Sequence, residues 1–212
     1  MPSARLDRRT RTARAQGRDG REALLATAAE VFAERGFREA SMDVIAARAG
    51  YSKGAVYWHF PSKDDLFFAL VEERIDKPIR AAAGELEAAP PDRDMAPAAN
   101  RVLAHLLGPE RRILLLDHEY WAQAARDPRL RARYAARRAE LNRALARALE
   151  ARMEHLGAPP LGERAEGMAA ALLGLARGLA QQRLLDPDAV PDDLFGDTLE
   201  LIYRGWLAVN GR

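Results

Sequence analysis

The chain has no cysteine, only three lysines and four histidines, few aromatic residues (7%) and no long apolar run. Without cysteine there is no disulfide framework, no thiolate nucleophile and no Cys-ligated iron-sulfur or zinc site, so a reducing, cytoplasmic compartment is the expectation. Four histidines narrow metal chemistry further, and neither a metal nor a cofactor is expected. No stretch approaches the roughly 18 apolar residues of a membrane span, and the Arg-rich start is not followed by the apolar segment of a secretory signal, so no membrane partner is expected. A charge excess is missing as well: 33 Lys+Arg against 31 Asp+Glu leave +2, which excludes a histone-type polyanion binder and an acidic tail. What abounds is Ala, Leu, Arg and Glu. With 48% hydrophobic residues over 212 positions, they predict an all-α protein of one large or two small domains.

The charge is unevenly placed, with a net +5 up to Lys63 and −3 beyond it. Arg5, Arg8, Arg9, Arg11, Arg14 and Arg18 lie among glycines at 17 and 20 without apolar periodicity. Residues 1–20 therefore read as a flexible basic arm, either a solvated terminus or an arm that contacts DNA. From Arg21 the pattern changes: Leu25, Ala28 and Phe32 share a helical face beside Leu24 and Val31, and Gly36 stops the helix. Ser41 caps a short second helix running to Ala49-Gly50, with Asp43 in its first turn. Ser52 caps a third segment, Lys53 to Phe60, closed by Pro61. Two short helices around a glycine-containing turn are the ingredients of a helix-turn-helix. Ser62-Lys63-Asp64-Asp65 then starts a helix reaching about Ala82, with a kink expected at Pro78. Punctuation at Pro90-Pro91, Gly108-Pro109, Asp127-Pro128, Gly157 to Pro160 and Asp186 to Pro191 places the remaining helices at about 94–107, 110–126, 129–156, 162–184 and 191–208.

A third helix of about eight residues is too short to stabilise itself and suits a major groove about 12 Å wide. Gly54 and Ala55 let its backbone come close to DNA, and the Ser41 hydroxyl with the exposed helix N–H groups suits a phosphate oxygen. The run from Ser41 to Leu66, with Phe32…Gly36-Phe37, Ile45-Ala46…Ala49-Gly50 and Gly54-x-x-Tyr57-x-His59-Phe60-x-x-Lys63, resembles the DNA-binding domain of TetR-family transcriptional regulators. The Tyr57-Trp58-His59-Phe60 tetrad is most similar to members that repress multidrug efflux pumps. The resemblance implies DNA contacts from Ser41, Ser52, Lys53, Gly54, Ala55, Tyr57, His59 and Lys63, with Ser52 and Lys53 reaching base edges and Tyr57, His59 and Lys63 setting register on the backbone. Trp58 reads either as DNA-facing or as a cover for the domain interior.

It also implies the layout: the arm, a helix-turn-helix domain over 21–66, and a larger ligand-binding and dimerisation domain over 67–212. Two apolar stripes, Met168, Leu172, Leu175 and Leu179 and then Phe195, Leu199, Ile202 and Trp206, are candidates for a dimer interface or for the monomer core. Phe67, Phe68, His105, His118, Tyr120, Trp121 and Arg177 are candidate liners of a ligand cavity.

Other chemistry finds little footing. His118-Glu119 begins like the zinc motif H-E-x-x-H but lacks the second histidine, and Asp186, Asp188, Asp192 and Asp193 lack the glycine and final glutamate of a calcium loop. Gly174-x-x-x-Gly178 allows close helix approach, but its membrane dimer mechanism does not transfer to water. No phosphate loop, nucleophile elbow or dinucleotide fingerprint occurs, so no catalytic residue is assigned. The expectation is a homodimeric repressor on a palindromic double-stranded DNA operator, released by a small apolar or amphipathic effector. A ligand-independent activator or global regulator, or a helical small-molecule enzyme, are the alternatives.

Overall fold

The structure, a computed structural model, describes the backbone of residues 3–108 and 110–211 and the side chains from residue 20 onward. Among the described residues all regular secondary structure is helical. The chain divides into two units, one ending at Glu73 and the other beginning at Arg74. The expected boundary lies seven residues earlier. Helix α4 moves it, because Leu66, Phe67, Leu70 and Val71 are all buried and Phe67 packs edge-on against Phe32 and Phe37 of the first unit.

The first unit holds α1 (Ser3–Glu39), α2 (Met42–Ala49), α3 (Lys53–His59) and α4 (Lys63–Val71). Residues 3–20, expected as an arm separate from the first helix, continue α1 instead; arginine and alanine are strong helix formers, and each of the two glycines costs only about 1 kcal/mol against alanine. At the other end Gly36 takes φ 73°, the left-handed value that favours glycine, and breaks the regular helix where the sequence places the stop. Each short helix is capped by a serine: Ser41 accepts from Val44 N–H at 3.3 Å, Ser52 from Ala55 N–H at 3.2 Å and Ser62 from Asp65 N–H at 3.1 Å. Gly50, at φ 72°, closes α2 by donating to the Ala46 and Ala47 carbonyls. Leu24, Ala28, Val31, Phe32, Ile45, Val56, Phe60, Leu66 and Phe67 form the buried interior.

A five-residue π-helical stretch, Glu72–Asp76, precedes α5 (Lys77–Ala88). The irregularity thus lies just before Pro78. Proline has no N–H to aim at the Arg74 carbonyl four residues back, and His105 Nε2 donates to that oxygen at 3.1 Å. The second unit continues with α6 (Ala96–Leu107), α7 (Arg111–Ala124), α8 (Pro128–His155), α9 (Ala165–Leu185) and α10 (Leu194–Asn210), each end within about three residues of the predicted span.

Two features fix loops and helices here. Arg152, buried on α8, donates to the carbonyls of Ala89, Pro90, Pro91 and Arg93 at 2.7–3.2 Å, satisfying the proline-rich connection after α5. Gly196 lets α10 touch α6: its N–H donates to Asn100 Oδ1 at 2.7 Å, and a Cβ there would lie 2.7 Å from the Ala96 carbonyl oxygen.

Candidate nucleic-acid interface and apolar cavity

Helix α3 is about 10 Å long at the usual rise of 1.5 Å per residue, short enough to enter a major groove end-on. Val56 and Phe60 anchor it inward, while Ser52, Lys53, Gly54 and Tyr57 are exposed. Space beside Gly54 is open, with no atom within 4 Å of the point a Cβ would occupy. Lys53 Nζ pairs with Asp43 at 2.8 Å across the turn, and this carboxylate raises the lysine pKa above its ordinary value. Both partners are exposed, so the pair ties α3 to the first turn of α2 with little cost to exchange it for a phosphate or base. Trp58 is 78% exposed, which rules out the interior reading and places it beside Tyr57 on the outer face.

His59 is half-buried, edge-on to Trp58 at 4.6 Å. Gly20 explains its other side: a Cβ there would sit 3.2 Å from the Tyr51 hydroxyl and 3.7 Å from His59 Nε2. The sequence presents Gly20 as part of the arm, whereas it is a buried contact of α1 with Tyr51 and His59.

Lys63 departs from the expectation of a cation held out toward the DNA backbone. Its ammonium donates to the carbonyls of Phe37 (2.7 Å), Arg38 (3.1 Å) and Ala40 (3.0 Å) and lies 4.6 Å from the Phe37 ring centre. Burial lowers its pKa from the ordinary lysine value, with Asp64 opposing. Three oxygens exposed where α1 ends therefore claim all three ammonium protons.

In the second unit an apolar cavity of about 120 Å³ is walled by Ile75 of the π-helical stretch, Ile79 and Leu86 of α5, Val102 and Leu106 of α6, Leu114 of α7, Leu145 and Leu149 of α8, Leu172 and Leu173 of α9, and Phe195 and Leu199 of α10. Of the sequence candidates, Arg177 alone lines it. Phe67 and Phe68 belong to the first unit, Tyr120 is buried against Tyr134 at 6.1 Å, and Trp121 faces solvent. His105 serves the Arg74 carbonyl, and His118 Nε2 meets Gln181 at 2.8 Å. Burial pushes the His118 pKa down, Asp117 opposing and Arg177 adding to the fall.

The dimer candidates divide similarly. Leu172, Phe195 and Leu199 face the cavity, and Met168 and Trp206 pack on the cluster of Ala146, Met153, Leu161, Ala165 and Ala169. Leu175 and Leu179 are half-buried. The apolar face that α10 leaves exposed is turned by about one residue from the predicted stripe: Ile202 belongs to it, with Leu201 and Val209. On α9 the exposed residues from Gly167 to Gly174 are small, Gly167, Ala170, Ala171 and Gly174, while Leu185 is exposed at the helix end.

Beside the cavity lies a buried ionic network. Asp117 and Asp76 are fully buried; Arg137 grips Asp76 with two bonds of 2.7 Å and reaches Asp117 at 3.1 Å, and Arg177 Nη1 pairs with Asp117 at 3.0 Å. The Tyr134 hydroxyl donates to Asp117 at 3.0 Å and accepts from Arg177 at 2.9 Å. Burial alone would raise the Asp117 pKa, but Arg177, Arg137 and the Tyr134 hydroxyl outweigh it and hold the carboxylate below its ordinary value.

A capped helix-turn-helix on a unit of its own, followed by a helical unit enclosing an apolar cavity, is the architecture of a DNA-binding regulator. Residues 24–70 match the model of bacterial regulatory proteins of the tetR family, and residues 105–200 match the C-terminal domain of BetI-type transcriptional repressors. The chain belongs to the TetR family of transcriptional regulators. It is similar to the transcriptional activator FasR of Mycolicibacterium smegmatis, 40% identical over 36% of this chain and 35% of the relative. The transcriptional repressor BepR of Brucella suis is 39% identical over 29% of each chain. The alignments thus span about a third of those relatives' length. A TetR-family regulator from Mesorhizobium loti shares the fold, with a TM-score of 0.68 at 23% identity over 91% of this chain and 97% of its own.

Proposed function

We propose that the protein is a cytoplasmic homodimeric repressor that holds a palindromic operator and leaves it when a small apolar or amphipathic effector enters the second unit. The observation that carries this reading is the apolar cavity walled by six helices of that unit, a space with one charged side chain among its described liners. Ser52 and Lys53 reach base edges, Gly54 and Ala55 admit the backbone, and Ser41, Tyr57 and His59 set register on phosphates. Lys63 contributes by holding the end of α1 in place, although displacement of its carbonyls by a phosphate keeps direct contact open. A recognition helix of seven residues reads only a few base pairs, so two copies related by a two-fold axis supply affinity and half-site spacing. The exposed Leu201, Ile202 and Val209 of α10 and the small-residue face of α9 are the proposed dimer surface. Release requires the effector to favour the form with lower operator affinity, since equal affinity for both forms shifts nothing.

Selection of bound fragments from the source genome, footprinting and binding at two salt concentrations test it. A short palindrome, with affinity falling steeply as salt rises, is the expected result; weak binding blind to sequence would overturn the reading. A second reading, an activator, is favoured by the printed role of FasR, and a reporter placed behind the selected site separates the two by the sign of the response.

A further inference from the structure

Three guanidiniums, of Arg137, Arg138 and Arg177, gather around two buried carboxylates, Asp76 and Asp117. Arg137 takes both oxygens of Asp76 and shares Asp117 with Arg177. Arg177 Nη2 and Arg138 Nη1 are buried and reach no acceptor. Elsewhere in the same unit a buried arginine has both terminal nitrogens served: Arg152 Nη1 and Nη2 meet four carbonyls. An unmet buried donor costs the full desolvation of its N–H, and one on a cation costs more. Among the described residues the Arg177 side chain is also the only charged group on the cavity wall; every other liner is Ala, Leu, Ile, Val, Met or Phe. The wall has no carboxylate and one aromatic ring, Phe195, whereas an organic cation is held by several aromatic faces or an acidic partner. Arg138 stands four and seven residues before Asn142 and Leu145 on α8, on the stripe that continues to the liner Leu149, and Asn142 Oδ1 is itself buried without a donor.

We infer that the effector is an organic anion, an apolar ring or short chain carrying a carboxylate-type head, with the tail in the cavity and the head on Arg177 Nη2. This rests on the effector-released reading and gives its ligand a chemical class. The tail has an upper size: an engineered apolar cavity of about 150 Å³ holds a benzene ring, and this one is about 120 Å³. The head restores neutrality to a network in which guanidiniums outnumber carboxylates, and accepts the bond that Arg177 lacks. Charge-assisted bonds of this kind are about twice as strong as neutral ones, so the head and not the tail decides between ligands of equal length.

Calorimetry on the full chain with hexanoate, 1-hexanol and hexyltrimethylammonium tests this with a six-carbon chain in each, the carboxylate carbon being the sixth in hexanoate. Hexanoate is expected to bind at least tenfold tighter than the alcohol, with the cation weakest. In Arg177→Met the preference for hexanoate over hexanol should vanish while hexanol binding persists; because Arg177 also pairs with Asp117, Arg138→Met provides a second variant, expected to reduce the preference without abolishing it. Equal or tighter binding of the alcohol or the cation, or no binding of hexanoate, overturns the inference. Operator release is read separately on the same samples. Hexanoate bound with the expected preference but without release leaves the anion site standing and defeats the effector reading; release by the alcohol or the cation without hexanoate binding does the reverse.

Discussion

The two units handle their cations in opposite ways. In the first, charge is displayed or spent locally: Lys53 lies on the surface beside Asp43, and Lys63 is absorbed by three carbonyls at the end of α1. In the second, arginines are drawn inside, and their partners come from remote parts of the chain, as with Arg137 on α8 and Asp76, 61 residues earlier. The contrast matches the tasks proposed for the two units. A surface that must meet phosphates keeps its charges solvated and exchangeable, whereas a cavity that must discriminate among small molecules needs a charge whose environment gives it few alternatives.

The comparison can be broken most severely at Asp117. Asp117→Asn would leave Arg137 and Arg177 facing an amide in a buried site, and a loss of about 3–5 kcal/mol is expected in chemical denaturation of the whole chain. The same group gives the second unit an acid signature. Its folded pKa lies below the unfolded value of about 3.9, so its contribution is complete above that value and is lost as pH falls through the lower folded pKa. Thermal midpoints recorded from neutral pH downward should show this fall in the parent and a shallower one in Asp117→Asn; parallel curves would refute the assignment.

In the first unit, Lys63→Met should cost about 2 kcal/mol, since it keeps the stem over Phe37 but strips the donors from three carbonyls. If stability is unchanged while operator affinity collapses, Lys63 is a DNA contact and not a staple. Ser52→Ala removes the cap of α3 and should cost about 1 kcal/mol. The smallest effect on folding belongs to Lys53→Ala, whose ion pair is exposed: the melting curve should superimpose on the parent's while the preferred operator sequence changes. An unchanged base preference in a selection experiment would remove Lys53 from the reading surface.

Legibility in the sequence follows the same divide. The first unit is written in short-range chemistry: Ser41, Ser52 and Ser62 each cap a helix three residues away, and Gly50 ends one with a left-handed turn, so the helix-turn-helix is readable from neighbours alone. The helix spans of the second unit are equally readable because prolines and glycines punctuate them. Its cavity is not. Aromatic and polar side chains stand out in a sequence as candidate liners, while the wall is built of aliphatic residues such as Ile75, Ile79 and Val102 that periodicity marks only as buried. The faces of α9 and α10 show the same limit, since a stripe at helical spacing cannot say whether its own core or a second chain covers it. Gly20 and Lys63 differ from expectation because their partners, Tyr51 and Phe37, lie across the unit, beyond the reach of neighbouring residues.

Gly196 bears on how the cavity can change size. At Gly196 α10 meets the main chain and Cβ of Ala96 and the Asn100 amide of α6, with no side chain at 196 able to rotate aside. Two walls of the cavity, Val102 with Leu106 and Phe195 with Leu199, are therefore riveted into one plate. On the proposed effector reading, a guest too large for the cavity would enter by parting this plate from the helices opposite it.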